Sequence, residues 1–171
     1  MSLNFSTLID SYEVTSSVSS VVLTGMNSSF STYQLYTANP EFAGNFQVVV
    51  QFQVGGVTDT TTSYTQSGAV QVYDNNGSND YNNTGLTHIR LNSANSQSNM
   101  GGNHLLIMNS QDSTEYTYCE SRGSSRITSG YATANYWGST FEKNAVVSGL
   151  EISDANGNNI TQGFFYLYGI R

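Results

Sequence analysis

The residues that chemistry would have to use are few: two histidines, one cysteine, and 12 acids scattered along 171 residues. His88 lies in Thr-His-Ile-Arg-Leu and His104 in Asn-His-Leu-Leu-Ile-Met. A zinc site draws three or four ligands from Cys, His and carboxylates at characteristic short spacings. Neither histidine has such neighbours, so each reads as a packed or hydrogen-bonded ring on a strand. Cys119 follows Tyr116-Thr-Tyr118 in an alternating run. Nothing in that run sets up a depressed thiol pKa, and the residue reads as a small buried hydrophobe. Serine is abundant, but no G-x-S-x-G elbow positions one as a nucleophile. The acids form no recognisable glycosidase pair, and no phosphate loop or dinucleotide fingerprint occurs. These residues predict a protein that is not an enzyme and uses no metal or cofactor.

Binding is better provided for than catalysis. Asp74, Asn76, Ser78 and Asp80 offer oxygens at alternate positions, as a calcium loop does. An EF-hand would place Gly at Asn79 and Glu at Gly85, so that motif fails and a hairpin turn is the alternative. Asp154, Asn156 and Asn158 form a weaker version of the same pattern. Tyr131, Asn135, Tyr136 and Trp137 combine amphipathic rings with an amide, a set suited to stacking on a sugar. A Trp in a strand serves equally well as core.

Charge narrows the partners. Only 10% of residues are charged, against roughly 25% in an average soluble domain. Twelve acids and five bases give a net charge of −7. Arg90, Arg122, Arg126, Lys143 and Arg171 are too few to build the basic face that phosphates or an anionic membrane require. No apolar run has the length of a membrane-spanning helix. The opening MSLNFSTLIDSYEV lacks a basic region followed by an apolar stretch, which argues against a secretory leader. The surface must be built of Ser, Thr, Asn, Gln and Gly. Twelve Tyr, eight Phe and one Trp are too many for a disordered chain. Such a composition is associated with secreted, cell-surface and virion proteins.

The positioning elements read as strands. Thr, Val, Tyr, Ser, Asn and Gly abound, while strong helix formers are sparse. In Phe46–Val54, Phe46, Val48, Val50, Phe52 and Val54 fall on one face. Gln47, Val49, Gln51 and Gln53 fall on the other, which predicts a strand with one wet face. Gly55-Gly56 then predicts a tight hairpin. Further strands are expected over Ser17–Met26, Thr32–Thr37, Ala69–Tyr73, Thr87–Leu91, His104–Met108, Glu115–Glu120, Ala145–Ile152 and Gly163–Ile170, and a helix only near Leu3–Tyr12. Phe164–Ile170 is apolar on both faces, so this strand is expected to be central or doubly covered and to form a hairpin with Ala145–Ile152. Short strands with regular turn breaks predict an all-β, antiparallel β-sandwich or jelly roll, as one domain over residues 1–171.

Two segments carry a resemblance. Gly157, Asn159, Ile160, Gly163, Phe165, Leu167, Tyr168, Gly169 and Ile170 fit the pattern Gly-Asn-Ile-x-x-Gly-x-Phe-x-Leu-Tyr-Gly-Ile. It resembles the C-terminal signature of small β-structured virion proteins of tailed bacteriophages, especially of the marine and cyanobacterial (cyanophage) type. Asn158 is an insertion in the pattern, and Phe164 stands where Thr is usual. Tyr12–Met26 and Tyr33–Tyr36 are similar to the opening strands of the same proteins. The matches cover about a quarter of the sequence and leave roughly 66–141 unmatched.

The resemblance implies a non-enzymatic structural protein located on the virion and assembled in the host cytoplasm. It would be either a tail or fibre-associated component contacting the host, or a head decoration protein cementing capsomers. The implied partners are further copies of itself, in a trimer, other virion proteins and a host surface glycan. Nucleic acid and membrane are not among them. A stand-alone carbohydrate-binding β-sandwich module is the alternative, with Trp137 and the nearby tyrosines as its platform.

Overall fold

The computed structural model describes residues 6–72, 78–92, 101–126 and 132–171, with the backbone alone at 72, 78 and 79. Thirteen strands follow one another: β1 (Ser6–Val14), β2 (Ser20–Thr24), β3 (Thr32–Phe42), β4 (Val48–Val54), β5 (Val57–Thr58), β6 (Tyr64–Val72), β7 (Ser78–Leu86), β8 (Ile89–Arg90), β9 (Gly102–Met108), β10 (Thr117–Arg126), β11 (Ala132–Phe141), β12 (Val147–Asp154) and β13 (Ile160–Ile170). They form two antiparallel sheets. One runs β1-β13-β3-β9-β10-β11-β6-β7; the other runs β2-β12-β4-β5, with β8 also on β4. Without β5–β7 and β10–β11, four strands (β1-β13-β3-β9) would stand against four (β2-β12-β4-β8). Of the strands set aside, β10, β11, β6 and β7 lengthen the first sheet beyond β9, and β5 pairs with β4 in the second.

The apolar alternation of the sequence fixes the sheet faces. Tyr33 and Leu35 on β3, Leu105 and Ile107 on β9, and Phe165 and Leu167 on β13 point inward from the larger sheet. They meet Val21, Leu23, Val50, Phe52, Leu150 and Ile152 from the smaller one, in a single apolar cluster. Each such side chain removed from water contributes about 1.5–3 kcal/mol. Phe42 and Phe46 stack with ring centres 4.2 Å apart, and Phe52, Tyr64 and Phe141 form a second aromatic group. The Tyr64 hydroxyl is buried there, but it accepts the Phe52 N–H at 2.9 Å and so satisfies both groups.

Several expectations hold. The Gly55-Gly56 turn joins β4 to β5, with φ of 60° and 80°, which suits the twist of a two-residue hairpin. β13 is central, paired with β1 on one side and β3 on the other. Cys119 is buried.

Others need correction. Of the segment expected as helix, the described residues, from Ser6 on, belong to strand β1: they pair with β13, and that ladder overrides local propensity. The hairpin expected between Ala145–Ile152 and Gly163–Ile170 does not form, because β12 pairs with β2 and β4 in the other sheet. The chain crosses from one sheet to the other between them. The glutamine face of β4 is not wet. Gln47 and Gln53 are buried, and Gln51 reaches the Thr87 carbonyl at 3.0 Å. β13 is covered on one face only, since Phe164, Tyr166, Tyr168 and Ile170 stay half-buried on the other. β7 and β11 form where the sequence predicts no strand.

The crossover hangs on Asp154. Its carboxylate accepts the buried N–H of Gln47 at 2.7 Å, the Asn158 N–H at 3.0 Å and the Asn158 amide at 2.6 Å. The weaker calcium reading of Asp154, Asn156 and Asn158 therefore meets a carboxylate already engaged by donors. Asp154→Ala leaves the buried Gln47 N–H unpaired, along with two part-buried Asn158 donors, and a hydrogen bond to a charged acceptor is worth about 1.5–3 kcal/mol. We expect a loss of about 3 kcal/mol in denaturant unfolding; a loss below 1 kcal/mol would show that water replaces the carboxylate.

Candidate binding cleft

Cross-strand register decides which side chains share the outward face of the larger sheet. Ala38, Gly102, Ser124, Ala134 and Gln71 form one row across β3, β9, β10, β11 and β6. Tyr36, His104, Arg122, Tyr136 and Ala69 form the next. Small residues dominate the first row, so the rings of the second stand up beside a trough. The result is a cleft of about 710 Å³ whose lining includes both rows apart from Ala38.

Its walls are ordered by contacts among themselves. Tyr36 stacks on His104 with ring centres 4.6 Å apart and meets Tyr168 edge-on at 5.9 Å. The Arg122 guanidinium lies 5.1 Å from the centre of the Tyr136 ring. Burial, and then the Arg122 charge, hold the His104 imidazole below its usual pKa, so it stacks as a neutral ring at pH 7. Arg122 is exposed and has no ion pair; among the described residues that role belongs to Lys143 with Asp59. At the end of the cleft, Thr37 Oγ1 accepts the Asn103 N–H at 3.0 Å and ties β3 to β9.

Of the residues singled out for sugar contact, Tyr136 stands in the cleft wall and is 48% exposed. Asn135 also borders the cleft, but its side chain is buried. Trp137 alternates to the opposite face, is 2% exposed, and packs its ring 5.5 Å from that of Tyr81. It has no face to offer a ligand. Tyr131 lies outside the described residues, as do Asp74 to Asn76 of the calcium candidate, and Asp80 sits on β7. Among the described residues, no three of His, Cys, Asp and Glu gather as metal ligands would. His88 is partly buried, with Thr87 Oγ1 3.1 Å from its Nδ1. Burial raises the Cys119 thiol pKa, so it is not primed for reaction.

Trp137 therefore belongs to stability. Trp137→Ala is expected to cost about 3–5 kcal/mol in equilibrium unfolding, as large buried rings do. An unchanged melting temperature would return Trp137 to the list of surface platforms.

The sequence did not disclose Tyr36, His104 and Arg122 as partners of Tyr136. With Tyr136 they come from four strands, and only the ladder register aligns them. No family model matches this chain, and neither a curated protein nor a solved structure matches it.

Proposed function

We propose that this chain is a jelly-roll structural protein of a tailed-bacteriophage virion, acting by binding and assembly and not by catalysis. The observation that carries this reading is strand order. In a jelly roll, two Greek keys interleave early and late strands in both sheets. The core order β1-β13-β3-β9 against β2-β12-β4-β8 follows that interleaving. The β5–β7 and β10–β11 segments are then insertions, of which β6, β7, β10 and β11 broaden the larger sheet.

Two glycines of the C-terminal pattern, Gly163 and Gly169, support the same reading, since each has a packing reason. Gly163 has φ of 138°, and a Cβ there would lie 2.8 Å from Pro40 Cα. At Gly169 a Cβ would overlap the Phe30 ring. The pattern is thus a specification for docking the last strand against the β3 edge and the core, which suits a structural family.

A homo-oligomer, with a trimer as the working stoichiometry, is favoured by the outward face. Between Phe164 and Ile170 on β13, Thr32 and Ala38 on β3, and Gly102 and Met108 on β9, no residue facing outward is charged at pH 7. Phe164, Tyr166, Tyr168, Leu106 and Met108 are half-buried there, and Tyr36 is exposed. A chain of net charge −7 can meet its own copies on such a face without like-charge repulsion.

The test is copy number per particle, by quantitative mass spectrometry of purified virions against the major capsid protein. Near-stoichiometric abundance assigns head decoration, and a few copies assign the tail or a fibre. Absence from purified particles overturns the proposal. Light scattering at micromolar concentration measures the oligomer separately.

A further inference from the structure

We infer that the cleft between Tyr36 and Tyr136 is a binding site for a saccharide unit that carries a carboxylate. The inference stands on the cleft alone and does not require the chain to be a virion component.

Four observations converge on it. The first is the floor. Gly102, Ser124, Ala134 and Ala69 leave no deep apolar hole, so a peptide's large anchor side chain would find nothing to fill. A flat, hydroxylated ligand fits a shallow trough better. The second is the walls. Tyr36 and Tyr136 are 39% and 48% exposed and sit three strands apart, about 14 Å at the usual strand spacing. His104 and Arg122 fill the row between them, but along the neighbouring row of small residues the same length accommodates two linked pyranose rings, with an exposed aromatic side chain beside each end.

The third is polar provision. Gln71 is exposed at the β6 side of the cleft and Ser124 on its floor, and both can exchange hydrogen bonds with sugar hydroxyls. The fourth is charge. Arg122 brings a guanidinium to the centre of the row, held over Tyr136 and without an acidic partner among the described residues. An Arg fork matches a carboxylate with two parallel hydrogen bonds, which a neutral sugar cannot reproduce. In a protein with five basic residues, one unpaired Arg set among aromatic rings is a selective feature.

The experiment is calorimetric titration of the purified full chain with sialyllactose and trigalacturonate, each beside its neutral counterpart, lactose and trigalactose. The acidic sugars are expected to bind at least about tenfold more tightly than the neutral ones, the size of a charge-assisted hydrogen-bonded pair. Arg122→Gln removes that preference. Tyr136→Ala weakens both kinds together. Both side chains are exposed, so melting temperatures should stay with the wild type. Amide chemical-shift mapping on the wild type gives a second reading without any variant, with perturbations expected around Gln71, His104, Arg122 and Tyr136. No binding of either acidic sugar, equal affinity for acidic and neutral sugars, shifts elsewhere on the molecule, or a preference that survives Arg122→Gln would each overturn the inference.

Discussion

Removing Phe165–Arg171 is expected to leave a chain that does not fold. These residues form the second half of β13, which lies between β1 and β3. Their loss unpairs Ser6 to Tyr12 of β1 and leaves Thr32 to Thr37 of β3 paired only with β9. It also removes Phe165 and Leu167, both fully buried, from the centre of the apolar cluster. Truncating one buried Phe or Leu to Ala costs about 2–5 kcal/mol. Losing two, with their backbone ladders, exceeds much or all of the roughly 5–15 kcal/mol by which a domain is stable. The measurement is thermal unfolding by circular dichroism and calorimetry. A soluble truncated protein with a cooperative transition would show that β1 and β3 can close the sheet without β13. Deleting Arg171 alone is the control: its contact is a guanidinium 5.5 Å from the Phe30 ring, worth about 0.5–1 kcal/mol at an exposed site.

How far the sequence reveals this can be judged element by element. The nine-residue alternation at Phe46–Val54 and the apolar run at Phe164–Ile170 both mark strands that form. Strong periodicity survives tertiary context because one face must be buried whatever the partners. What fails is information about partners. Nothing in Ala145–Ile152 says that it pairs with β2 and β4 instead of the strand that follows it. Sequence neighbours usually pair, and a crossover between sheets breaks that rule. Nor could β4 show that its glutamines would be enclosed. β7, with the sequence Ser-Asn-Asp-Tyr-Asn-Asn-Thr-Gly-Leu, looks like a turn cluster and becomes a strand because β6 supplies a ladder. β-propensity measures fit to neighbours more than intrinsic preference.

The cleft is legible in the sequence only at Tyr136 and the adjacent, buried Asn135. Tyr136 and Trp137 are adjacent, so strand geometry must send them to opposite faces. Sequence shows that they part; it does not show which goes outward. The choice is made by Gly68 and Tyr81, which share a cross-strand row with Trp137 and let its ring lie flat on the inner face. Tyr36, His104 and Arg122 then line up with Tyr136 because β3, β9, β10 and β11 are consecutive in the sheet. The two insertions are therefore what make a cleft: β3 and β9 supply one wall, and β10, β11 and β6 the floor and the other.

That dependence makes Gly68 the residue on which the added strands turn. A Cβ at Gly68 would overlap the Tyr136 carbonyl and lie 2.8 Å from Trp137 Cα and 3.0 Å from its ring. Two of these three obstacles are backbone, which can yield only by breaking the β6–β11 ladder. Gly68→Val is therefore expected to cost about 3 kcal/mol or more, at the upper end of overpacking effects. Trp137 in the same row packs over the glycine, an aromatic covering a strand position that has no side chain of its own. The double variant Gly68→Val with Trp137→Ala separates the causes. If the ring were the obstacle, removing it would relieve the strain, and the double variant would be more stable than Gly68→Val alone. Because backbone is the obstacle, the double variant should be no more stable than Gly68→Val. Urea unfolding of the four proteins closes the cycle. A Gly68→Val protein within 1 kcal/mol of wild type would mean that β6 and β11 slide apart cheaply. The cleft would then have to be tested as a movable surface and not as a fixed one.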